Sequence, residues 1–256
     1  MGKGETIEIT TTNFIVDPGQ VTDDRLILHG EEAKHLKKVL RAKIGDAFFG
    51  IDGAGLRYRA VIESLAGSTI KGIISSTTRL ENEPFHDICL AMGVCRPAKM
   101  DYIVEKCTEI GVSSFEFYYS EKSYARIRED LSSTRKISRL RRIIIAAVKQ
   151  SRRSVIPKAA EFKTFTEILA LSEKFDLSLA AVIHSSAAPI EKAIRKTHET
   201  KRILLLVGPE SGLSDGEVDS ARSAGFLPVS LGPRRLRAET AAVVFPTLVL
   251  NHLGDL

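Results

Sequence analysis

The chain has 256 residues, of which 43% are hydrophobic and 27% charged, with 18 glycines, 9 prolines and 3 cysteines. At roughly 100–200 residues per domain that length suggests one or two domains, long enough for a core without disulfide or metal staples; the apolar content excludes a disordered chain, and the modest glycine and proline counts exclude collagen-like and mucin-like classes. The net charge of +5 is unevenly spread: between Lys122 and Lys158 twelve Lys/Arg stand against two acids, while the other 25 basic and 30 acidic residues sum to −5.

The first 80 residues read as a small β-rich unit with one helix. Residues 31–41 place Ala33, Leu36, Val39 and Leu40 at helical spacing, with Lys34, Lys37, Lys38 and Arg41 around them. Strand-like runs follow at 47–51, at 56–62 after Asp52-Gly53, and at 69–75 after Ala66-Gly67. Pieces this short, joined by turns, predict a compact barrel. The polar stretch 75–84 is the candidate linker, which sets expected domains at 1–80 and 81–256.

From His86 strands alternate with helices. An apolar run at 88–94 precedes a helix at 98–110 that Gly111 closes. A strand at 114–119 and a long basic helix at 133–151 come next, then a strand at 179–183 and a helix at 189–196. Strand 203–207, helix 214–224, strand 226–231 and helix 238–253 complete the series. This alternation predicts an α/β fold with a parallel sheet covered on both faces. Cys89, Cys95 and Cys107 are odd in number and form no CxxC, against a secreted disulfide scaffold or a zinc site. The amino terminus lacks an apolar segment of signal-peptide length, and the longest apolar run, 241–250, is interrupted by Pro246 and is about half a membrane span. A soluble, cytoplasmic protein with no membrane contact is expected.

Two strand exits carry the candidate chemistry. After Ile203 to Val207 comes GPESGLS, at the carboxyl end of a strand, where glycine lets backbone approach a ligand; Ser214 and Glu217 have capping-box spacing, so a well-made turn would explain this segment by itself. The second exit, LGPRRLRAETA from Leu231, packs three arginines into four positions ahead of a helix. Guanidinium groups there can fork onto phosphate or carboxylate, and the helix amino terminus adds positive potential; alternatively Glu239 simply neutralises a neighbouring arginine. His184, ending strand 179–183, marks a third loop as either a structural or a functional histidine. No GxGxxG follows a strand and no Walker-type loop occurs, nor does HExxH or GxSxG. The six histidines show no metal-ligand spacing, so no metal is expected. The basic stretch 122–158 has the character of a polyanion-binding surface, with a solvated helix face as the plain alternative.

GPESGLS after ILLLV, followed by LGPRRLRAETA, resembles the carboxy-terminal signature of SPOUT-class RNA methyltransferases, and within that class the bacterial 16S ribosomal RNA uridine-N3 methyltransferases. HLKKVLRAKIGD (35–46), KMDYIVEKCTEIG (99–111), SEKS (120–123) and KQSRRSVIP (149–157) are similar in order and spacing, so nearly the whole chain is covered. The resemblance implies a PUA-like RNA-binding β-barrel followed by a trefoil-knotted SPOUT α/β domain, working as a homodimer. It implies S-adenosylmethionine as methyl donor and N3 of a uridine in 16S (small-subunit) ribosomal RNA, free or in the small ribosomal subunit, as acceptor. By position, Ile183 and His184 would form one cofactor loop, Val207, Gly208, Glu210 and Gly212 a second, and Leu231, Gly232, Leu236, Arg237 and Thr240 a third.

Arg237 or Arg234 would stabilise the uridinate as it develops, and Glu239 or His184 would take the proton. Lys34, Lys37, Lys38 and Arg41, with Arg135, Lys136, Arg139, Arg141, Arg142, Lys149, Arg152 and Arg153, would hold phosphates with strong salt dependence. Three positions depart from the family pattern. Ser211 stands where glycine is usual, costly if that residue needs positive φ; Arg235 replaces an aliphatic residue; Pro246 interrupts the last helix. The rival readings are a non-catalytic RNA-binding or ribosome-assembly protein on this scaffold, a SPOUT enzyme acting on a ribose 2′-hydroxyl, and a small-molecule α/β enzyme.

Overall fold

The computed structural model describes residues 8–123, 132–183, 187–194 and 200–256. The chain divides into two units, Met1–Glu83 with Ile145–Ile156, and Pro84–Ile144 with Pro157–Leu256.

In the first unit, β1 (Glu8–Ile15), β2 (Arg25–His29), β3 (Ala47–Ile51), β4 (Leu56–Ala66) and β5 (Thr69–Arg79) form a five-stranded sheet in the order β1-β3-β4-β5-β2. Only the β1–β3 pair is parallel. Helix α1 (Gly30–Lys34) runs directly into a π turn over His35–Val39, and Arg41, at φ 55, ends it. The wider i→i+5 turn shifts the register of the side chains. Ala33 and Leu36 still face the core beside Phe14, Leu28 and Phe48, but Val39, expected on the apolar face, is 67% exposed. The linker reading of 75–84 also needs correction. β5 continues to Arg79, paired with β4 from Ala66↔Thr69 to Leu56↔Arg79. Its outer half is a solvent-facing hairpin arm that needs no apolar alternation, and so its serines and threonines imitate a linker. β1 escaped the sequence reading for a related reason: EITTTNFI is β-branched rather than apolar, a composition that suits a strand.

The second unit holds β6 (Asp87–Gly93), α2 (Pro97–Ile110), β7 (Ser114–Tyr119), α3 (Ser132–Ser151) as far as Ile144, β8 (Lys158–Thr164) and α4 (Phe165–Leu169). It continues through β9 (Leu177–Ala181), β10 (Ala188–Pro189), α5 (Ile190–Ala193), β11 (Arg202–Val207), α6 (Asp215–Ser223), β12 (Leu227–Ser230) and α7 (Ala238–Leu253). The expected parallel α/β sheet is present: its seven strands run β10-β12-β9-β11-β6-β7-β8 and every pair is parallel. On one face Cys89, Ala91, Leu204 and Leu206 pack with Ile168 of α4 and Ala221 of α6. Ile203, Leu205 and Val207 alternate onto the other face, where α7 packs on β11 and β6. Burial on both faces is why this strand is continuously apolar. The helix expected at 189–196 is shorter: Ile194 already leaves helical geometry at φ −92, ψ 112, and residues 195–199 lie outside the described residues. Among the described residues no helix is long and apolar enough to cross a membrane.

Pro246 lies inside α7 without breaking it. A proline has no N–H for the carbonyl four residues earlier, here that of Ala242. The buried Cys107 thiol on α2 donates to that carbonyl at 3.2 Å, and the Thr247 hydroxyl donates to the neighbouring Val243 carbonyl at 2.8 Å. Burial pushes the Cys107 thiol well above its ordinary pKa, so it stays protonated and able to donate. Cys107→Ala removes this donor and leaves a buried carbonyl unpaired, a loss of about 1–3 kcal/mol. Thermal denaturation of Cys107→Ala beside Cys107→Ser, whose hydroxyl keeps a donor, should show the alanine variant as the less stable.

Candidate active site

A cavity of about 570 Å³ opens at the carboxyl ends of β9, β11 and β12, the edge at which parallel sheets bind ligands and a volume suited to a small-molecule ligand. Three loops wall it, 181–183, 207–213 and 230–236, with Asp215 and Val218 of α6 and Ala238 and Ala241 of α7 closing the rest. Of the residues expected at a cofactor, Ile183, Val207, Gly208, Glu210, Gly212, Leu231, Gly232 and Leu236 line this space, as does Arg234. Arg237 and Thr240 do not line it. Arg237 is the N-cap of α7 and Thr240 sits in that helix's first turn. His184 lies outside the described residues.

The loop after β11 is built around close backbone approach. A Cβ on Gly208 would lie 2.9 Å from both Gly212 C and Leu213 N, and one on Gly93, at the end of β6, would lie 2.6 Å from Pro209 N. Gly212 N–H closes the turn onto the Pro209 carbonyl at 2.8 Å, with Gly212 at φ 74. The left-handed residue is therefore Gly212, while Ser211 is not at positive φ and its serine costs nothing on that account. Beneath the loop the buried Tyr118 hydroxyl donates to the Val207 carbonyl at 3.0 Å. On the far wall Gly232 adopts φ 119 with open space around its Cβ position, and its N–H reaches Ser230 Oγ at 3.3 Å.

Glu210, Glu239 and Glu217 are committed to partners. Lys99 Nζ of α2 lies 2.9 Å from Glu239 Oε2 and 3.8 Å from Glu210 Oε1, and Arg96 N–H donates to Glu210 Oε1 at 3.2 Å. Burial raises the Glu239 pKa, but Lys99, the residue's own amide and Arg237 outweigh it and hold the carboxyl below the ordinary carboxylate range. An ion-paired carboxylate held low in this way is a weak base, which counts against Glu239 as the group that takes the proton. Glu217, the capping-box acid, does more than cap. Buried, it accepts from Ser214 N at 2.8 Å, Ser120 Oγ at 3.0 Å and Glu121 N at 3.1 Å, and so anchors the SEKS turn to the start of α6. Burial, and then the nearby Glu210, push the Cys95 thiol up to about 12, which leaves it unreactive.

The residues expected to hold phosphates divide into committed and exposed groups. Arg153 is buried, and its guanidinium meets Glu83 Oε2 at 2.7 Å and 3.0 Å. A guanidinium so enclosed has no face for a phosphate, which corrects its place in that set. Lys149 reaches both oxygens of Glu32 at 2.8 Å, Arg139 pairs with Asp101 at 2.9 Å, and Lys34 pairs with Glu31 at 3.2 Å. Lys37, whose ammonium also reaches the Gly67 carbonyl at 3.3 Å, is exposed, as are Lys38, Arg41, Arg135, Lys136, Arg142 and Arg152.

Sequence comparisons follow the same division of labour. A family model described as an RNA methyltransferase domain matches residues 81–250, and one described as an RNA methyltransferase PUA domain matches residues 28–75. The ribosomal RNA small subunit methyltransferase E of Synechocystis sp. is 31% identical over 246 residues, spanning 95% of this chain and 77% of the relative. The chain belongs to the small subunit methyltransferase E family. The Bacillus subtilis member is 26% identical over 83% of this chain and 84% of its own. The small subunit methyltransferase E of Neisseria gonorrhoeae, solved bound to S-adenosyl methionine, superposes with a TM-score of 0.81 at 25% identity, covering 94% of this chain and 98% of that one. Legionella pneumophila Lpg2936, solved with bound S-adenosylmethionine, gives 0.81 at 26% identity over the same shares.

Proposed function

We propose that this protein transfers a methyl group from S-adenosylmethionine to N3 of a uridine in 16S ribosomal RNA, free or in the small ribosomal subunit. The observation that carries the reading is the cavity at the carboxyl ends of β9, β11 and β12, walled by the two glycine-bearing strand exits that also carry the family's signature. Its residues fit the donor. Val182, Leu231 and Leu236 offer apolar walls for an adenine, glycines 208, 212 and 232 keep side chains out of the backbone walls, and Glu210 and Asp215 bring negative charge that suits a sulfonium or an ammonium.

When bound, the sulfonium supplies a methyl group already activated by its own charge. What remains for the chain is to orient the reactants and to stabilise negative charge on the uridine ring as N3 gives up its proton, a task suited to the exposed guanidinium groups of Arg234 and Arg237. Lys37, Lys38, Arg41, Arg135, Lys136, Arg142 and Arg152 are the cations proposed to hold phosphates. Residues 1–80 then act as a PUA-like barrel that binds RNA and residues 81–256 as a trefoil-knotted SPOUT domain, in a cytoplasmic homodimer.

The test is transfer of radiolabelled methyl from S-adenosylmethionine to intact small subunits and to deproteinised ribosomal RNA, followed by digestion to nucleosides. The expected product is 3-methyluridine at a single position. A 2′-O-methylated nucleoside would move the activity to the ribose, and no labelled product alongside retained RNA binding would leave a binding protein.

A further inference from the structure

Arg234 and Arg235 line one end of the cavity and Arg237 follows them as the N-cap of α7, yet among the described residues no ion pair joins a carboxylate to any of the three. Glu239, two residues beyond Arg237 on the first turn of α7, is close enough to feel the Arg237 charge. Its carboxylate is instead held at 2.9 Å by Lys99, on the first turn of α2, with Glu210 at 3.8 Å as the second carboxylate on the same ammonium. All three side chains are largely enclosed, 19–30% exposed, so a partner removed here is not replaced by bulk water at little cost. A guanidinium forks onto a carboxylate better than an ammonium does. Without Lys99, the nearest arginine is therefore the natural new partner for Glu239.

We propose that Lys99 is a positioning residue: it draws off the Glu239 carboxylate and thereby keeps the Arg237 guanidinium uncommitted for the uridine. This role rests on the methyl-transfer reading above. Glu210 contributes by sharing the ammonium and by taking the Arg96 N–H at 3.2 Å, which ties the cavity wall at 207–213 to the start of α2. The electrostatics agree, since Lys99 precedes Arg237 among the charges that lower the Glu239 pKa.

The test compares Lys99→Met, Lys99→Arg and the double variant Lys99→Met/Glu239→Gln. Lys99→Met should lower kcat by up to about 100- to 1,000-fold, the effect of losing one charge-stabilising donor, while its calorimetric Kd for S-adenosylmethionine stays within about threefold of wild type. Lys99→Arg keeps the positive charge and should retain most activity. In the double variant the Glu239 carboxylate can no longer capture Arg237, while Glu210 keeps its bond from the Arg96 N–H, so kcat should return to within about threefold of wild type. A purely structural role for Lys99 predicts the opposite, a double variant at least as impaired as the single one. A crystal structure of Lys99→Met reads the pairing without reference to activity: Glu239 turned onto Arg237 supports the inference, and Glu239 left where it is overturns it. Should the wild-type protein make no 3-methyluridine, the functional reading falls, while this structural outcome still decides whether Lys99 controls the carboxylate.

Discussion

Gly208→Val should weaken binding of S-adenosylmethionine by at least about tenfold in a calorimetric titration. The reason is steric and local. A Cβ at this position would sit 2.9 Å from Gly212 C and from Leu213 N, both backbone atoms of the loop's return limb. A flexible side chain could swing aside; a peptide closed by the Gly212 N–H to Pro209 carbonyl bond at 2.8 Å can move only with the whole turn. Overpacking of this kind costs about 1–3 kcal/mol. Since the displaced turn is itself a wall of the cavity, that strain appears as about ten- to a hundredfold in affinity, and any hydrogen bond the donor forfeits adds to it. Gly208→Ala should bind more weakly than wild type but better than the valine variant, because only the Cβ has to be accommodated. Gly93→Ala attacks the same loop from the β6 side, where its Cβ would meet Pro209 N at 2.6 Å, and should weaken binding without changing any residue that lines the cavity. A Gly208→Val protein with wild-type affinity would exclude this loop from the donor site.

That pair of glycines also marks where sequence reasoning ends. Gly208 is legible because it follows an apolar strand directly, and the rule that ligands meet parallel sheets at strand exits needs only local pattern. Gly93 carries no such mark: its importance comes from β6 lying beside β11, an adjacency between residues more than a hundred apart in sequence. Lys99 and Tyr118 escaped for the same reason, as did the contacts that Glu217, legible as a capping-box acid, makes to Ser120 and Glu121. Each acts on a loop distant in sequence, and a single chain read along its length shows no partner for them. α2, α7 and β11 are legible to within a few residues from their apolar pattern, whereas the short elements β2, β8 and α4 are not. The pattern fails where polar residues occupy regular structure, in β1 and the outer half of β5, and where an i→i+5 turn rotates Val39 away from its helical position. Charge misleads in a different way. The basic stretch 122–158 reads as one surface, but burial sorts its members, and sequence spacing cannot separate an arginine that faces solvent from one that faces a carboxylate.

Arg153 is the sharpest instance, and its replacement should destabilise the protein by about 3–5 kcal/mol, the cost of leaving one member of a buried ion pair alone. The Arg153 and Glu83 side chains are 3% and 6% exposed. Glu83 Oε2 takes Arg153 Nε at 3.0 Å and Nη2 at 2.7 Å, and Oε1 takes the Ser154 and Val155 N–H groups at 2.7 and 2.9 Å. The Arg153 carbonyl accepts from Asn13 Nδ2 at 2.9 Å, and Asn13 Oδ1 in turn accepts from Arg57 Nε at 3.1 Å. Residues 153–155 are thus fixed to the first unit by a connected polar network. Arg153→Met removes the cation and strands the carboxylate, whereas Glu83→Gln keeps an acceptor for the two N–H groups and removes the stranded charge. Urea unfolding at neutral pH should therefore rank Arg153→Met below Arg153→Met/Glu83→Gln, a rescue by a second substitution that simple loss of packing cannot produce. Arg152, adjacent in sequence but exposed, provides the contrast: Arg152→Ala should leave the unfolding free energy within about 0.5 kcal/mol of wild type and reduce the salt dependence of RNA binding. If instead Arg153→Met unfolds like wild type and weakens RNA binding as Arg152→Ala does, the guanidinium faces the nucleic acid in solution and the Glu83 pairing is not what holds this segment.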